Sequence, residues 1–184
     1  MSGRRLAIAS AALVALSACT DAKHPTVTKA NPLADSADQV MFGVRTFITD
    51  QGLLRANLRA DTGYFFDGNS RIEVRNERTL FFTNTGQQSG VLTSEEGTYS
   101  TAKNTMEARK NVVVISTDGK RLETSQLAYN QVTNLISSDS AFVLTQPDRR
   151  IEGVGFISDP NLNNLKILKI LKGAGPIPLS GQNP

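Results

Sequence analysis

The feature that most constrains this chain is a regular beat of turn signals. Gln51-Gly52, Asp67-Gly68-Asn69, Asn84-Thr85-Gly86, Lys103-Asn104, Asp118-Gly119, Asn130 to Asn134 and Pro147-Asp148 interrupt the sequence. Taken at positions 52, 68, 86, 103, 118, 133 and 148, they fall 15 to 18 residues apart. Gly, Asn and Asp tolerate the positive φ that tight turns need, and Asp-Gly at 118–119 is the strongest single hairpin signal. Near-even spacing of this kind predicts one unit, a strand plus its turn, repeated along the chain.

Between the turns the residues alternate with period two, as half-buried strands do. Arg71-Ile72-Glu73-Val74-Arg75 puts Ile72 and Val74 on one face and charges on the other. Thr105-Met106-Glu107-Ala108-Arg109 repeats the pattern, and the same parity carries on to Val112 and Val114. Leu80 with Phe82, Leu122, Phe142 with Leu144, and Ile151 extend the apolar series. Asn164 to Lys172 reads as a closing strand rather than a helix, on its β-branched content and the strands before it. Some stretches are apolar on both faces: Val112 and Val114 on one, Val113 and Ile115 on the other. A thin sandwich core accounts for that, and so does a curved sheet whose greasy surface carries lipid. Gly153 and Gly155 leave one face of their strand bare, which gives room for lipid or a neighbouring subunit's strand, or marks a bulge next to a packed partner strand. Asp159-Pro160 ends that strand, because Pro has no ladder donor. Asp139 is placed at a strand start, and Lys166, Lys169 and Lys172 read as a solvated face, with an edge gatekeeper or a contact for phosphate headgroups as the alternatives.

Composition narrows the function by exclusion. The chain of 184 residues suits one domain with a real core. It carries 20 Lys and Arg against 17 Asp and Glu. Without the first 18 residues, which hold Arg4 and Arg5 and no acid, the balance is 18 to 17. The basic pI therefore owes much to the N-terminus and argues against a nucleic-acid partner. One Cys and one His leave no disulfide framework and no zinc site built on several Cys or His, so no metal and no cofactor are expected. His24 lies next to Pro25 in a segment that reads as a solvated tether. With no G-x-S-x-G or comparable nucleophile–base pattern, the chain does not read as an enzyme.

The N-terminus reads as an address. Arg4-Arg5 precede the short apolar run Leu6 to Leu16, well under the roughly 20 residues of a membrane span. The run ends in Leu16-Ser17-Ala18-Cys19, which looks like a bacterial lipobox whose Cys receives the lipid. The expected layout is a lipoprotein signal peptide at 1–18, a lipidated Cys19 and flexible tether at 19–41, a β-domain at 42–172 and a Gly/Pro-rich tail at 173–184. Acylation of Cys19 gives a multi-chain membrane anchor.

Several segments, in order, resemble the LptC-type lipopolysaccharide-export proteins and their OstA-like relatives. Gly43 to Gly52 followed by Leu58 to Tyr64 is similar to their opening hairpin. Met106 to Val114, Asp118 to Tyr129, Ile136 to Asp139 and Ile151 to Pro160 complete the series. The resemblance implies an all-β fold, a curved antiparallel β-jellyroll open along one side, with lipid acyl chains held inside. It implies a bridge that passes lipopolysaccharide from an inner-membrane ABC transporter across the periplasm. Partners implied are lipopolysaccharide, the transporter's permeases and an OstA-like bridge protein joined by edge-strand pairing. The implied location is the periplasmic side of the inner membrane, held by a lipid anchor, with the outer membrane as the alternative. On this reading Ile72, Val74, Leu80, Phe82, Met106, Val112, Val114, Leu122, Phe142, Leu144 and Ile151 are the candidates for lining the lipid groove. Gly153 and Gly155 are candidates for strand packing or subunit contact. A structural or assembly lipoprotein at the outer membrane, using its sheet only for protein contacts, is the competing reading.

Overall fold

The computed structural model describes residues 31–174. Cys19, His24, the segment 1–18 and the tail from 175 onward lie outside the described residues. Nine strands form a single antiparallel sheet: β1 Gln39–Asp50, β2 Leu53–Phe66, β3 Arg71–Phe82, β4 Gln88–Ser100, β5 Thr105–Ser116, β6 Arg121–Asn130, β7 Leu135–Thr145, β8 Arg150–Ser158 and β9 Lys166–Ala174. Their order in the sheet is their order in the chain, so every neighbour is reached by a hairpin and no crossover is needed. The sheet is open, with β1 and β9 as its two edges. This is the all-β, curved open jellyroll expected from the sequence.

Each predicted turn falls between two strands. Positive φ is found at Gln51 and Gly52, at Asp67, Gly68 and Asn69, and at Gly86, Asn104, Gly119 and Asn134. The residue types that make these signals visible are thus the ones the backbone requires.

The strands are long, up to 14 residues in β2, or about 46 Å at about 3.3 Å per residue. None runs straight. A seam of irregularity crosses the sheet at mid-strand. It includes left-handed Gly43, Asn76, Gly155 and the pair Lys110-Asn111. Register shifts between Thr93 and Glu96, Arg109 and Val112, Thr124 and Ala128, and Ser138 and Ala141 continue it. Bulges of this type bend a strand and sharpen its twist. Repeated from strand to strand, they crease the sheet so that its two halves face each other.

The crease resets which side chains point inward. In β3, Val74 is buried before Asn76, while Glu77, Thr79 and Phe81 are buried after it. Leu80 and Phe82, grouped by sequence with Ile72 and Val74, therefore stand on the opposite face and are only half-buried. In β5 two left-handed residues, Lys110 and Asn111, are accommodated together, so parity survives. Met106, Ala108, Val112 and Val114 all point into the core.

Ordered structure begins earlier than the sequence suggests. Within the stretch read as tether, Pro32–Ser36 form a short helix, α1, and β1 starts at Gln39. Asn31 caps α1 by accepting from the Leu33 N–H at 3.2 Å, with Pro beginning the helix, where its missing N–H costs nothing. Asn31 Nδ2 donates to Tyr64 Oη at 2.8 Å, tying the segment to β2. At the other end, Gly173 and Ala174 belong to β9 rather than to the tail. Asp139 lies within β7 at its register shift, not at a strand start.

Candidate functional site

The inner faces of the two half-sheets meet in one apolar layer. Val112, Val114 and Leu122 have no exposed surface, and Val74, Met106, Phe142 and Leu144 are buried with them. Ile72 and Ile151 are partly buried against this core. Contacts cross the fold: the rings of Phe81 and Tyr129 lie 5.0 Å apart, and those of Phe142 and Phe156 meet edge-on at 5.2 Å. Gln131 Nε2 donates to the Thr49 carbonyl at 2.7 Å, joining the β6–β7 turn to the end of β1. Burying an aliphatic or aromatic side chain of this size stabilises the fold by about 1.5–3 kcal/mol.

This part of the interior is closely packed. Between Phe81 and Leu92 on one layer and Met106 and Leu127 on the other, the remaining cavity is about 10 Å³. That is room for at most about one water. An aliphatic ligand can enter only if the layers part. Its methylenes would then take the place of the packing that the two layers now make with each other.

One acid sits inside. Glu77 is 4% exposed at the crease, and burial pushes its carboxyl up to about 7. Ser94 Oγ lies 2.7 Å from Glu77 Oε1 and 2.9 Å from the Glu96 carbonyl. Ser94 has one proton to give. A neutral Glu77 satisfies both contacts, donating to Ser94 Oγ while Ser94 donates to Glu96. Gly97 makes the space, since a Cβ there would stand 2.7 Å from Glu77 Oε2. Thr79 Oγ1, buried beside this group, has no partner. Sequence reasoning misses Glu77 because alternation continued from Ile72 and Val74 puts it on the charged face. The signal is Asn76, which accepts the left-handed φ of 52° that turns the next residue inward.

Gly153 and Gly155 are both filled from within the chain. A Cβ on Gly153 would come within 2.7 Å of the Lys169 carbonyl and 2.8 Å of the Phe142 ring. Gly155 has φ +73° and lies under the Leu168 side chain. Their bare faces accept Phe142 and the neighbouring strand β9.

The sheet edges contrast with the interior. β1 exposes Met41, Phe42 (81%) and Phe47, and β9 exposes Leu168 (68%), Ile170 and Leu171. Each edge strand has one side with no neighbour among the described residues, so its backbone N–H and C=O groups on that side are free to pair. Lys166, Lys169 and Lys172 are exposed along β9. Among the described residues, no helix is long and apolar enough to cross a membrane.

Compared with protein-family models, the chain matches the one described as "Lipopolysaccharide-assembly, LptC-related" over residues 6–174. No curated protein matches it.

Proposed function

This chain belongs to the LptC family of lipopolysaccharide-assembly proteins, and from that premise we propose that its creased sheet parts to hold lipopolysaccharide acyl chains between its two layers. Family membership gives it a role in lipopolysaccharide transport, with lipopolysaccharide and components of the transport machinery as partners. It also associates the chain with the periplasm and inner membrane, in a family of transport proteins rather than enzymes.

The finer reading is a bridge. The β1 and β9 edges pair with the strands of neighbouring proteins, the transporter's permeases on one side and an OstA-like partner on the other. The acyl chains then pass along a continuous apolar interior. The observation that supports this is the pairing of two largely apolar inner faces with two unpaired edges that expose large apolar side chains. Each acyl methylene removed from water gains about 0.8 kcal/mol, which offsets the side-chain packing given up as the layers open.

Photocrosslinking residues placed at Val112 and Phe142 test the reading in cells. Adducts with lipopolysaccharide are expected at both positions. Adducts with protein alone would favour the competing assembly role and overturn it. Membrane attachment through acylated Cys19 belongs to the same proposal. Radiolabelled fatty acid should enter the wild-type chain and be lost in Cys19→Ser, and an unlabelled wild type would refute the anchor.

A further inference from the structure

The outer face of the sheet holds three arginines in line. The strand register pairs Arg45 with Arg59 and Arg59 with Arg78, so the three stand opposite one another across β1, β2 and β3. Adjacent strands are about 4.8 Å apart, which places the outermost two within roughly 10 Å. Like charges facing each other across strands repel. Such a row is a standing electrostatic cost unless something anionic covers it.

The rest of the sheet avoids that cost. Arg71, Arg109, Arg121 and Arg150 each sit two residues from a glutamate on their own strand and pair with it. Among the described residues, Arg45, Arg59 and Arg78 have no ion-pair partner, and all three are exposed. Arg45 lies over the Phe47 ring, 5.0 Å from its centre. The acid two residues from Arg59 is Asp61, and its carboxylate accepts from Asn76 Nδ2 at 2.9 Å instead.

The row lines a cleft of about 400 Å³, together with Gly43, Asp61 and Asn76. Gly43 and Asn76 both have left-handed backbones and belong to the crease, so the concavity is built by the bend itself. The cleft reaches β1, an open edge of the sheet. A fork of guanidinium donors in a concave site matches phosphate oxygens, which accept pairs of N–H groups. The adjacent row on the same face is mainly apolar, with Phe47, Leu80, Val91 and Ile115 aligned by register on either side of Asn57. Phosphate beside apolar surface is the chemistry of a lipid headgroup rather than of a free ion.

We infer that Arg45, Arg59 and Arg78 form a binding site for the phosphate groups of a lipid headgroup, on the face opposite the apolar interior. The inference rests on the lipid-carrying reading above for the identity of the lipid, lipopolysaccharide, and on the arginine row for the site.

The test titrates the full chain with purified lipopolysaccharide, with the same material after enzymatic dephosphorylation, and with inorganic pyrophosphate as competitor. Wild type should bind the phosphorylated form at least tenfold more tightly than the dephosphorylated form, and added salt should shrink the difference. Arg59→Gln, at the centre of the row, should bind both forms alike, at the level of dephosphorylated material on wild type. Arg121→Gln, whose parent residue is paired with Glu123, should keep the preference. The Arg59→Gln variant should melt no lower than wild type, since it removes repulsion rather than an attractive pair.

An unchanged phosphate preference in Arg59→Gln overturns the site. Pyrophosphate binding that depends on Arg59 without any effect on lipopolysaccharide overturns the headgroup assignment in favour of free phosphate. Loss of a co-purifying protein in Arg59→Gln, with lipid binding intact, overturns it in favour of an acidic partner. Failure of the acyl-chain reading is a separate result, because it removes lipid adducts at Val112 in wild type and leaves the pyrophosphate titration untouched.

Discussion

The centre of the sheet and its last strand are built from the same kinds of residue and use them in opposite ways. In β5 and β6, Val112, Val114 and Leu122 lie wholly out of water between the two layers. In β9, Leu168, Ile170 and Leu171 are more than half exposed at a free edge. Aliphatic burial holds the fold together at the centre, so each of those side chains has a folding role whether or not a ligand ever arrives. Ile170 and Leu171 have no such role in the isolated chain, whereas Ile167 on the same strand packs against the core. An exposed, apolar edge strand is an aggregation hazard that proteins normally blunt, and here Lys166, Lys169 and Lys172 are the only charges spread along it. The difference separates residues that hold the fold together from residues that, on the bridge reading proposed above, are kept for a neighbour.

The sharpest way to break that contrast is to truncate at the centre. Leu122→Ala leaves a void between two layers that are held apart by their own backbones and cannot readily collapse. The expected loss of stability is roughly 4 kcal/mol, read as a shift in the urea unfolding midpoint with an unchanged slope. A loss below about 1 kcal/mol would mean the layers are already loosely packed, and the division between centre and edge would fail.

The second prediction concerns Glu77, the acid buried between the layers. The Glu77 carboxyl is raised by burial from 4.5 to about 7 in the folded protein. Between those values the native state holds a proton that the unfolded chain has released, so stability falls as pH rises across the window. The contribution is fully present below about 4.5 and is gone above about 7. The shift corresponds to a cost on the order of 3 kcal/mol at alkaline pH, or roughly 10 °C in melting temperature for a domain of this size. Glu77→Gln keeps a neutral group against Ser94 and should flatten the profile between pH 5 and 8.5. A wild-type profile that is flat, or one that rises across this window, would show that the acid is solvated and the layers already parted.

How much of this is legible in the sequence follows from where the backbone changes phase. Turns are legible because Gly52, Asp67, Asn104 and Gly119 take positive φ and advertise it by residue type. Alternation is legible within each half-strand. It misleads across the crease in β3, where Asn76 looks like one more polar strand residue yet advances the phase by one. Unbroken alternation consequently assigns Leu80 and Phe82 to the groove and Glu77 to the surface. In β5 the same reasoning succeeds for Val112 and Val114 only because Lys110 and Asn111 make a two-residue interruption. The arginine row is beyond reach for a different reason. Arg45, Arg59 and Arg78 are far apart in sequence, and only the strand register brings them opposite one another. The short helix α1 carries its Asn31-Pro32 start signal openly, but a five-residue helix has no apolar period to confirm it.

The smallest expected effect on stability is at the edge, and it is the one that sharpens the comparison most. Ile170 is 63% exposed on β9. Ile170→Thr keeps a β-branched side chain, so the preference for strand is retained. Unfolding free energy should change by less than about 0.5 kcal/mol, the usual range for an exposed position. If β9 is kept for a neighbour, the same change should lower recovery of the transport partners with the tagged chain, because the apolar surface that would be covered in the complex is reduced. On the bridge reading the edge contributes to association and not to folding, so the two measurements must separate. A variant that loses stability and keeps its partners would place Ile170 with Leu122, in the core, and leave β1 as the only edge available for joining.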